Sequence, residues 1–268
     1  MSDRPILPGG GFRAALRVQR DVLGALILRE LHTRFGRDNL GYVWLFIEPM
    51  ILAGSIAGFQ LAIGHRMPGG MSTFPFYILS YMPYYLLRSI VSRAATTAEA
   101  NLPLFYHARV RLHDVILARS ILDVAAVIVA MLVFLGGVGI ATGEWPQDPL
   151  GVALAVIMMG LMMHGVACAI SALAAVAGEQ PVDRVVHPAT YLGIPVFGAF
   201  FMVWWLPQRG QELLLHVPTV HVFEFIREAY YGPIVPYHHD LGYVAAAILV
   251  ANAFGLLALR AAEPYREH

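Results

Sequence analysis

Residues 29–49, RELHTRFGRDNLGYVWLFIEP, mark the point where a basic, polar N-terminal region changes into continuous apolar sequence. The stretch presents arginines, then aromatic residues, then an acidic residue with a proline, and finally the apolar run 50–63: Arg29, Arg34, Arg37, Tyr42, Trp44, Phe46, Glu48 and Pro49. Arginines favour the cytoplasmic headgroup side of a bilayer, and aromatic rings favour its interface. The stretch therefore predicts the place where the chain passes from the cytoplasm into a membrane.

The composition supports the same conclusion independently. Of the 268 residues, 58% are hydrophobic and 13% are charged, which is too apolar for an ordinary soluble domain. The 18 basic residues are all arginine, and the formal net charge is zero. The single cysteine, Cys168, excludes an intrachain disulfide. These features predict an all-α polytopic membrane protein.

Six segments are apolar enough to predict spanning helices, which need about 20 residues each. They are residues 41–63, 73–91, 115–140, 150–176, 188–206 and 241–259. The first is long enough only if Pro49 kinks the helix rather than starting it. Three regions follow: a cytoplasmic N-terminus at 1–38, a six-helix transmembrane domain at 39–262 and a cytoplasmic tail at 263–268.

The distribution of arginines predicts the topology. With the N-terminus inside, 14 arginines lie in cytoplasmic regions, whereas the outside loops hold only Arg66, Arg209 and Arg227. The positive-inside rule therefore places both termini in the cytoplasm. Residues 15–35 carry apolar ridges separated by charges and predict an amphipathic helix along the membrane interface, with a short soluble cap as the alternative. Arg29 and Glu30 interrupt its apolar face.

Three connections carry more than a simple turn. Residues 99–114 combine exposed-looking apolar residues with arginines, which favours a docking surface. Residues 178–187 are short and predict at most one turn of helix. Residues 216–232 are too short and polar to span and too apolar for a plain loop, so one or two re-entrant or interfacial helices are expected.

Motifs for catalysis are absent from the sequence. A P-loop requires a lysine that reaches the phosphates, and the chain has none; it also lacks H-E-x-x-H and G-x-S-x-G. His164 and Cys168 lie one helical turn apart and could face each other, but two ligands do not make a metal site, and we interpret them as packing residues. No enzymatic activity, bound cofactor or metal is therefore expected in this chain.

Charged residues inside apolar segments are costly and point to function. Arg119 and Asp123, four residues apart, predict a pair with each other, and Glu48 predicts either a channel residue or a helix cap or kink. Arg88 predicts either an anchor near the cytoplasmic half of the second segment or, with the tyrosines before it, a cation and stacking faces for a polar, anionic chain. The predicted channel residues are Tyr77, Tyr81, Tyr84, Tyr85, Arg88, Glu48 and Trp44. The G-x-x-x-G at Gly54 and Gly58 predicts close helix packing, within or between subunits.

Three stretches in the same order resemble the membrane permease of ABC-2 type exporters, most closely the capsular polysaccharide export permeases of Gram-negative bacteria. They are residues 29–49, the loop NLPLFYHARVRLHD at 101–114, and PTVHVFEFIREAYYG at 218–232. The likeness covers about residues 15–260. Val217 departs from the pattern, because relatives commonly carry Asn before the proline, and the external turn is expected to be capped differently.

The resemblance implies a half-transporter of the bacterial inner membrane that forms a homodimer and pairs with two copies of a separate ABC ATPase subunit. ATP and Mg²⁺ would bind that partner and not this chain. The substrate would be a lipid-linked acidic polysaccharide, passed to a periplasmic co-polymerase and an outer-membrane export protein, with no nucleic acid involved. The positions matching the ATPase-docking regions are Arg29, Arg34, Asn101, Leu104, Tyr106, Arg109 and Arg111; those matching the external exit helices are Glu224, Arg227, Tyr230 and Tyr231.

Two other functions are compatible with the sequence. An ABC-2 exporter of another glycan or lipid, such as O-antigen or teichoic acid, would have the same spans. An integral membrane enzyme acting on lipid intermediates would need a clustered acid/base pair, for which only scattered carboxylates such as Glu48, Asp123, Glu224 and Glu228 are available.

Overall fold

A computed structural model describes residues 12–35, 40–101 and 110–263, with no strand among them. Ten α-helices lie within these ranges: α1 Phe12–Phe35, α2 Leu40–Ala62, α3 Thr73–Ser92, α4 Leu112–Thr142, α5 Pro149–Ala177, α6 Glu179–Leu192, α7 Ile194–Phe197, α8 Gln208–Leu214, α9 Pro218–Tyr231 and α10 Leu241–Ala262. The expected all-α class is confirmed for these residues.

Three of these helices, α4, α5 and α10, are long and apolar enough to cross a membrane. The apolar part of α2 with described side chains, Met50–Ala62, is shorter. Helix α2 continues through Pro49 rather than beginning there, which fits the expectation that this proline does not start the first apolar helix.

Local sequence signals fix several helix ends. Asp148 accepts a hydrogen bond from the Gly151 amide at 2.9 Å, and Pro149 follows it at the first helical position of α5. Helix α4 ends at Gly143, whose φ of 79° favours glycine. Asp240 caps α10 by accepting from the Tyr243 amide at 3.0 Å. These caps explain why the third, fourth and sixth apolar segments fold close to their predicted bounds.

Helix α5 is the most buried of the three long apolar helices and contacts α10, α9, α3 and α4. Its approach to α10 is close because glycines face each other: a Cβ on Gly255 would lie 2.3 Å from the carbonyl oxygen of Gly165. Asn252 of α10 donates to the Leu161 carbonyl of α5 at 2.9 Å. By contrast, a Cβ on Gly58 would meet no described atom within 4 Å, so the closest approach within the chain involves other glycines than the G-x-x-x-G.

The fifth apolar segment, 188–206, was expected to form one helix, and this expectation is wrong. Helix α6 ends at Leu192, the four-residue α7 follows, and Gly198 with φ of 88° turns the chain into a bend before a 3-10 turn at Val203–Trp205. A Cβ on Gly198 would lie 3.0 Å from the Cα of Val220, so helix α9 packs directly on the break. The broken backbone requires hydrogen-bond partners from elsewhere in the fold.

The loop expected at 178–187 is also different. It forms most of helix α6, which has 14 residues rather than a single turn and contains Pro188. Gly178, with φ of 90°, therefore separates α5 from α6, whereas α6 continues through Pro188.

Helix α9 lies within residues 216–232, where one or two short helices were expected, and the short helix α8 precedes that stretch. Helix α9 begins with Pro218 at its first turn, and Val217 supplies no side-chain cap. The expectation that this turn is capped differently from that of relatives stays a prediction.

Candidate functional site

Helix α1, confirmed as a helix over its described residues, lies against the beginning of α4. Leu26 is buried against Val115 and Ala118, with Val22 and Ile27 at the edge of this small apolar cluster. A polar contact supports it, because the Gln19 amide donates to Asp114 Oδ1 at 2.6 Å. Burial of these side chains fixes α1 on the end of a long apolar helix.

The residues matched to ATPase docking divide into three groups. Arg29 donates to the Asn101 side chain, and Asn101 donates from its own amide to the Thr97 carbonyl at 2.8 Å. Asn101 is buried, whereas Arg111 is exposed beside the start of α4. The structure does not describe the side chain of Arg34. The other three predicted residues lie wholly outside the described ranges: Leu104, Tyr106 and Arg109.

The two charged residues of the third segment form ion pairs across helices. Arg119 Nε lies 3.0 Å from Glu30 Oε1 of α1, and Arg93 Nη2 lies 2.5 Å from Asp123 Oδ2. Both carboxylates are buried, with 7% and 5% of their side chains exposed. The sequence predicted that Arg119 and Asp123 would pair with each other. It did not predict these ion pairs with residues outside α4.

A group of carboxylates lies where α6 begins. Partial burial, a hydrogen bond with Glu99, the charge of Glu99 and that of Asp183 together raise the pKa of Glu179 above its ordinary value. This acidic group lies beside the turns that follow α3, because Glu99 belongs to them.

The tyrosines of the second apolar segment form a stripe on α3, but they are not equally accessible. Tyr77, Tyr81 and Tyr84 are buried within the chain. Tyr77 accepts from the Gln60 amide at 2.8 Å, and Tyr84 donates to the Thr190 carbonyl at 3.2 Å. These three residues thus pack α3 against α2 and α6.

Arg88 and Tyr85, further along the same stripe, are half-exposed. Arg88 donates to the hydroxyl of Tyr191 at 2.7 Å, and its guanidinium lies 5.7 Å and 5.5 Å from the ring centroids of Tyr85 and Tyr191. Among the described residues Arg88 forms no ion pair, so its charge faces aromatic surfaces rather than a carboxylate. The other predicted channel residues, Trp44 and Glu48, have no described side chain.

The residues matched to external exit helices form a buried polar cluster. Arg227, with none of its side chain exposed, donates to the carbonyls of Phe201 at 2.7 Å, Gly198 at 3.1 Å and Ala199, and to Ser80 at 3.1 Å. Its guanidinium also lies 4.7 Å from the ring centroid of Phe76. Arg227 therefore supplies the donors that the broken segment after α7 requires.

The neighbours of Arg227 complete this cluster. Glu224 lies 3.8 Å from Arg227 and accepts from the amides of Val203 and His238, both at 3.1 Å. Tyr231 donates to the Ser72 carbonyl at 2.7 Å, and Tyr230 donates to the Glu144 carbonyl at 3.3 Å. All four predicted residues lie inside the fold and anchor α9 to it.

His164 and Cys168 are buried in α5 and lie 3.7 Å apart, Nε2 to Sγ, with Ser120 Oγ 3.3 Å from the other ring nitrogen. In the described part of the chain, no group of three or more His, Cys, Asp or Glu side chains could hold a metal ion. The pair packs α5 against α4.

The helices and the internally paired charges define the class: a multi-pass membrane protein. No family model matches the sequence. The capsule polysaccharide export inner-membrane protein CtrC of Neisseria meningitidis serogroup B is 34% identical over 247 residues, 91% of this chain and 92% of that protein. BexB of Haemophilus influenzae, which bears the same description, is 29% identical over 255 residues, 93% and 94% of the two chains.

The polysialic acid transport protein KpsM of Escherichia coli is 29% identical over 254 residues, 94% of this chain and 97% of that protein. The chain belongs to the family of capsule polysaccharide export inner-membrane proteins. It is accordingly a transport permease located in the inner membrane, and the expected family is confirmed.

Several residues of the site were missed from the sequence. Glu30 was noted only as an interruption of the apolar face of α1, and that interruption was the available signal, since its carboxylate turns toward Arg119. Arg93 and Thr97 had no signal beyond charge and polarity. Tyr191 shares one helical turn with His187, whose ring centroid lies 5.7 Å from its own, but the sequence did not indicate that it would meet Arg88.

Proposed function

We propose that this chain is the transmembrane subunit of an ATP-binding cassette exporter that moves a lipid-linked acidic capsular polysaccharide across the inner membrane. Two copies form the pathway, and two copies of a separate ATPase subunit, which binds ATP and Mg²⁺, power it. The observation that carries the proposal is the 34% identity to CtrC over 91% of the chain. A periplasmic co-polymerase and an outer-membrane export protein receive the glycan.

The proposed topology has six membrane crossings and both termini in the cytoplasm. Helices α2, α3, α4, α5 and α10 form five crossings, and α6 with the broken segment after it forms the remaining one. Helix α1 lies at the cytoplasmic interface, and α8 and α9 lie at the outer side. The arginine distribution supports this arrangement, because the outer side then carries few positive charges.

The proposed ATPase-docking surface consists of α1 and the loop between α3 and α4. Its support is that α1 is fixed on the start of α4 and that Arg29 contacts Asn101 at the beginning of the loop. Since Asn101 is buried, its role in docking is to hold the loop, whereas the exposed Arg111 is available to a partner. Arg34, Leu104, Tyr106 and Arg109 complete the proposed surface.

The proposed substrate contact includes only part of the tyrosine stripe on α3. Tyr85, Arg88 and Tyr191 combine two aromatic rings with a guanidinium that has no carboxylate partner among the described residues. An acidic glycan offers carboxylates to such a cation and sugar faces to such rings. Tyr77, Tyr81 and Tyr84 support this surface from within.

The experiment that tests the proposal replaces Arg88 and measures capsule on intact cells. Arg88→Gln keeps a polar side chain but shortens it and removes the charge, so surface capsule should fall about tenfold, as expected for loss of a charge-assisted contact. Arg88→Lys should retain part of the export, because it keeps the charge without the planar fork. Arg209→Gln, at an exposed arginine of α8, is the matched control and should export normally.

Membrane levels of each variant are measured in the same cells. Normal capsule with Arg88→Gln at normal protein level would remove the substrate contact. The subunit role has its own measurement: the purified chain should show no ATP hydrolysis alone, and hydrolysis should appear when the ATPase subunit is added and respond to the glycan. Turnover of a lipid intermediate by the chain alone would contradict the permease role.

A further inference from the structure

The cytoplasmic ends of α1, α3 and α4, as placed by the proposed topology, meet in a set of four charged residues. Glu30 of α1 pairs with Arg119 of α4 at 3.0 Å, and Arg93, directly after α3, pairs with Asp123 of α4 at 2.5 Å. Arg119 and Asp123 are one helical turn apart, so the two pairs lie side by side. These four residues carry two positive and two negative charges, and Arg29 Nη2 lies beside them, 3.9 Å from Glu30 Oε2.

The two ion pairs are connected through a threonine hydroxyl. Arg119 Nη1 donates to Thr97 Oγ1 at 3.1 Å, and that hydroxyl donates to the Arg93 carbonyl at 2.7 Å. Thr97 lies in a 3-10 turn between α3 and the loop to α4 and is itself buried. The contacts therefore run from α1 through α4 to the end of α3 and back to α4.

A small cavity lies at the centre of this set. Its volume is about 10 Å³, and Arg93, Thr97, Arg119 and Asp123 are among the residues that line it. Such a space holds about one water molecule between polar groups.

Stability alone does not explain why charges occupy this place. Buried ion pairs contribute little net stability compared with well-packed apolar residues of the same size, because both charges must be desolvated. The apolar cluster of Leu26, Val115 and Ala118 already fixes α1 on α4 nearby. The ion pairs and the Thr97 hydrogen bonds instead connect α1, through α4, to the end of α3. Helix α3 also carries Arg88, which lies five residues before Arg93.

We infer that Glu30, Arg93, Arg119 and Asp123 form a charge network that transmits movement of α1 to α3 during transport. The inference rests on the proposed function, since it assumes that an ATPase moves α1 and that α3 contacts the glycan. These four residues are positioning residues: none of them touches ATP or the substrate. When α1 shifts along α4, Arg119 follows Glu30, and the displaced hydrogen bond from Arg119 to Thr97 moves the end of α3, where the Thr97 hydroxyl donates to the Arg93 carbonyl.

The test uses the complete complex with its ATPase and compares glycan exported with ATP hydrolysed. Glu30→Gln and Asp123→Asn keep size and polarity while each removes one negative charge. Each should lower the glycan exported per ATP hydrolysed about tenfold, with export and hydrolysis measured in the same complex. The double variant should be no worse than the more severe single variant, because one pathway can be interrupted only once.

The matched control is Glu212→Gln, which removes an exposed carboxylate from α8, away from the proposed docking surface. It should leave export per ATP unchanged. If the effects of the two single variants multiply in the double variant, the two ion pairs act independently, and the proposed network is wrong. Normal export per ATP in both single variants would overturn it as well, whereas absence of export in the wild-type complex would count against the proposed function instead.

A second variant separates transmission from assembly. If Glu30→Gln lowers the amount of assembled complex, the charge-exchanged variant Glu30→Arg/Arg119→Glu is measured in its place. Recovery of both assembly and export per ATP supports the network. If the exchanged variant assembles normally but its export per ATP stays low, or if it does not assemble, the Glu30–Arg119 pair has only a structural role. Either result overturns the inference.

Discussion

A single fully buried arginine holds the break in the fifth apolar segment. Arg227 donates to carbonyl groups at Phe201, Gly198 and Ala199, which the break after α7 leaves without helical partners. An unpaired carbonyl in a medium without water costs several kcal/mol, so the break and the arginine depend on each other. This explains why an apolar segment of adequate length does not form a continuous helix.

We predict that Arg227→Ala lowers the free energy of unfolding by roughly 3–5 kcal/mol, because it leaves Glu224 buried without its cation and orphans the carbonyls. Arg227→Lys should also be destabilised, since one ammonium cannot reach acceptors spread over three residues. The yield of monodisperse protein after detergent extraction, with thermal unfolding, measures both effects.

Arg209→Ala is the matched control for this prediction, because it removes an exposed arginine from α8. It should extract and unfold like the wild type. A wild-type yield and unfolding temperature for Arg227→Ala would show that the carbonyls find other partners, and the assigned role of Arg227 would be wrong.

At the scale of the helices, glycines decide how closely α5 and α10 approach. Gly165 and Gly255 bring the two backbones together, and Asn252 adds an interhelical hydrogen bond at 2.9 Å. Between apolar helices in lipid there is little hydrophobic driving force, so close packing and such hydrogen bonds supply the attraction.

Gly255→Val should therefore separate α10 from α5, because even its Cβ would lie 2.3 Å from the Gly165 carbonyl oxygen. Overpacking of this kind costs about 1–3 kcal/mol, which we expect as a lower thermal unfolding temperature in detergent. Gly137→Val is the control, since a Cβ there meets no described atom within 4 Å. Equal unfolding temperatures for the two variants would contradict the close contact.

The elements differ in how far the sequence could predict them. Helices α4, α5 and α10 follow from apolar runs with local caps such as Asp148 and Asp240, which act within three residues. The break at Gly198 depends on Arg227, 29 residues away, and Arg119 meets Glu30 from 89 residues away. No periodicity or spacing rule reports such partners, so the sequence predicted the polar residues but not their pairings.

For the whole molecule, the decisive property is which side of the membrane each loop occupies. The proposed topology places α8 outside and the beginning of α6 in the cytoplasm. The chain is suited to a direct test, because its only cysteine, Cys168, is buried. Both Arg184 of α6 and Gln208 of α8 are exposed.

In a Cys168→Ala background, Gln208→Cys should react with a membrane-impermeant maleimide in intact spheroplasts, whereas Arg184→Cys should react only after the membrane is opened. The reason is that a charged reagent does not cross the bilayer. The Cys168→Ala chain without a new cysteine is the control for background labelling. Labelling of Arg184→Cys in intact spheroplasts would reverse the proposed orientation of this segment.

The Arg227 cluster also has a consequence for biosynthesis. Every group that receives a hydrogen bond or ion pair from Arg227 precedes it in the chain: Ser80, the carbonyls of Gly198, Ala199 and Phe201, and Glu224. The arginine can thus be neutralised as it inserts, before α10 has entered the membrane. A cation that would be costly to release into lipid never has to wait there for a later helix.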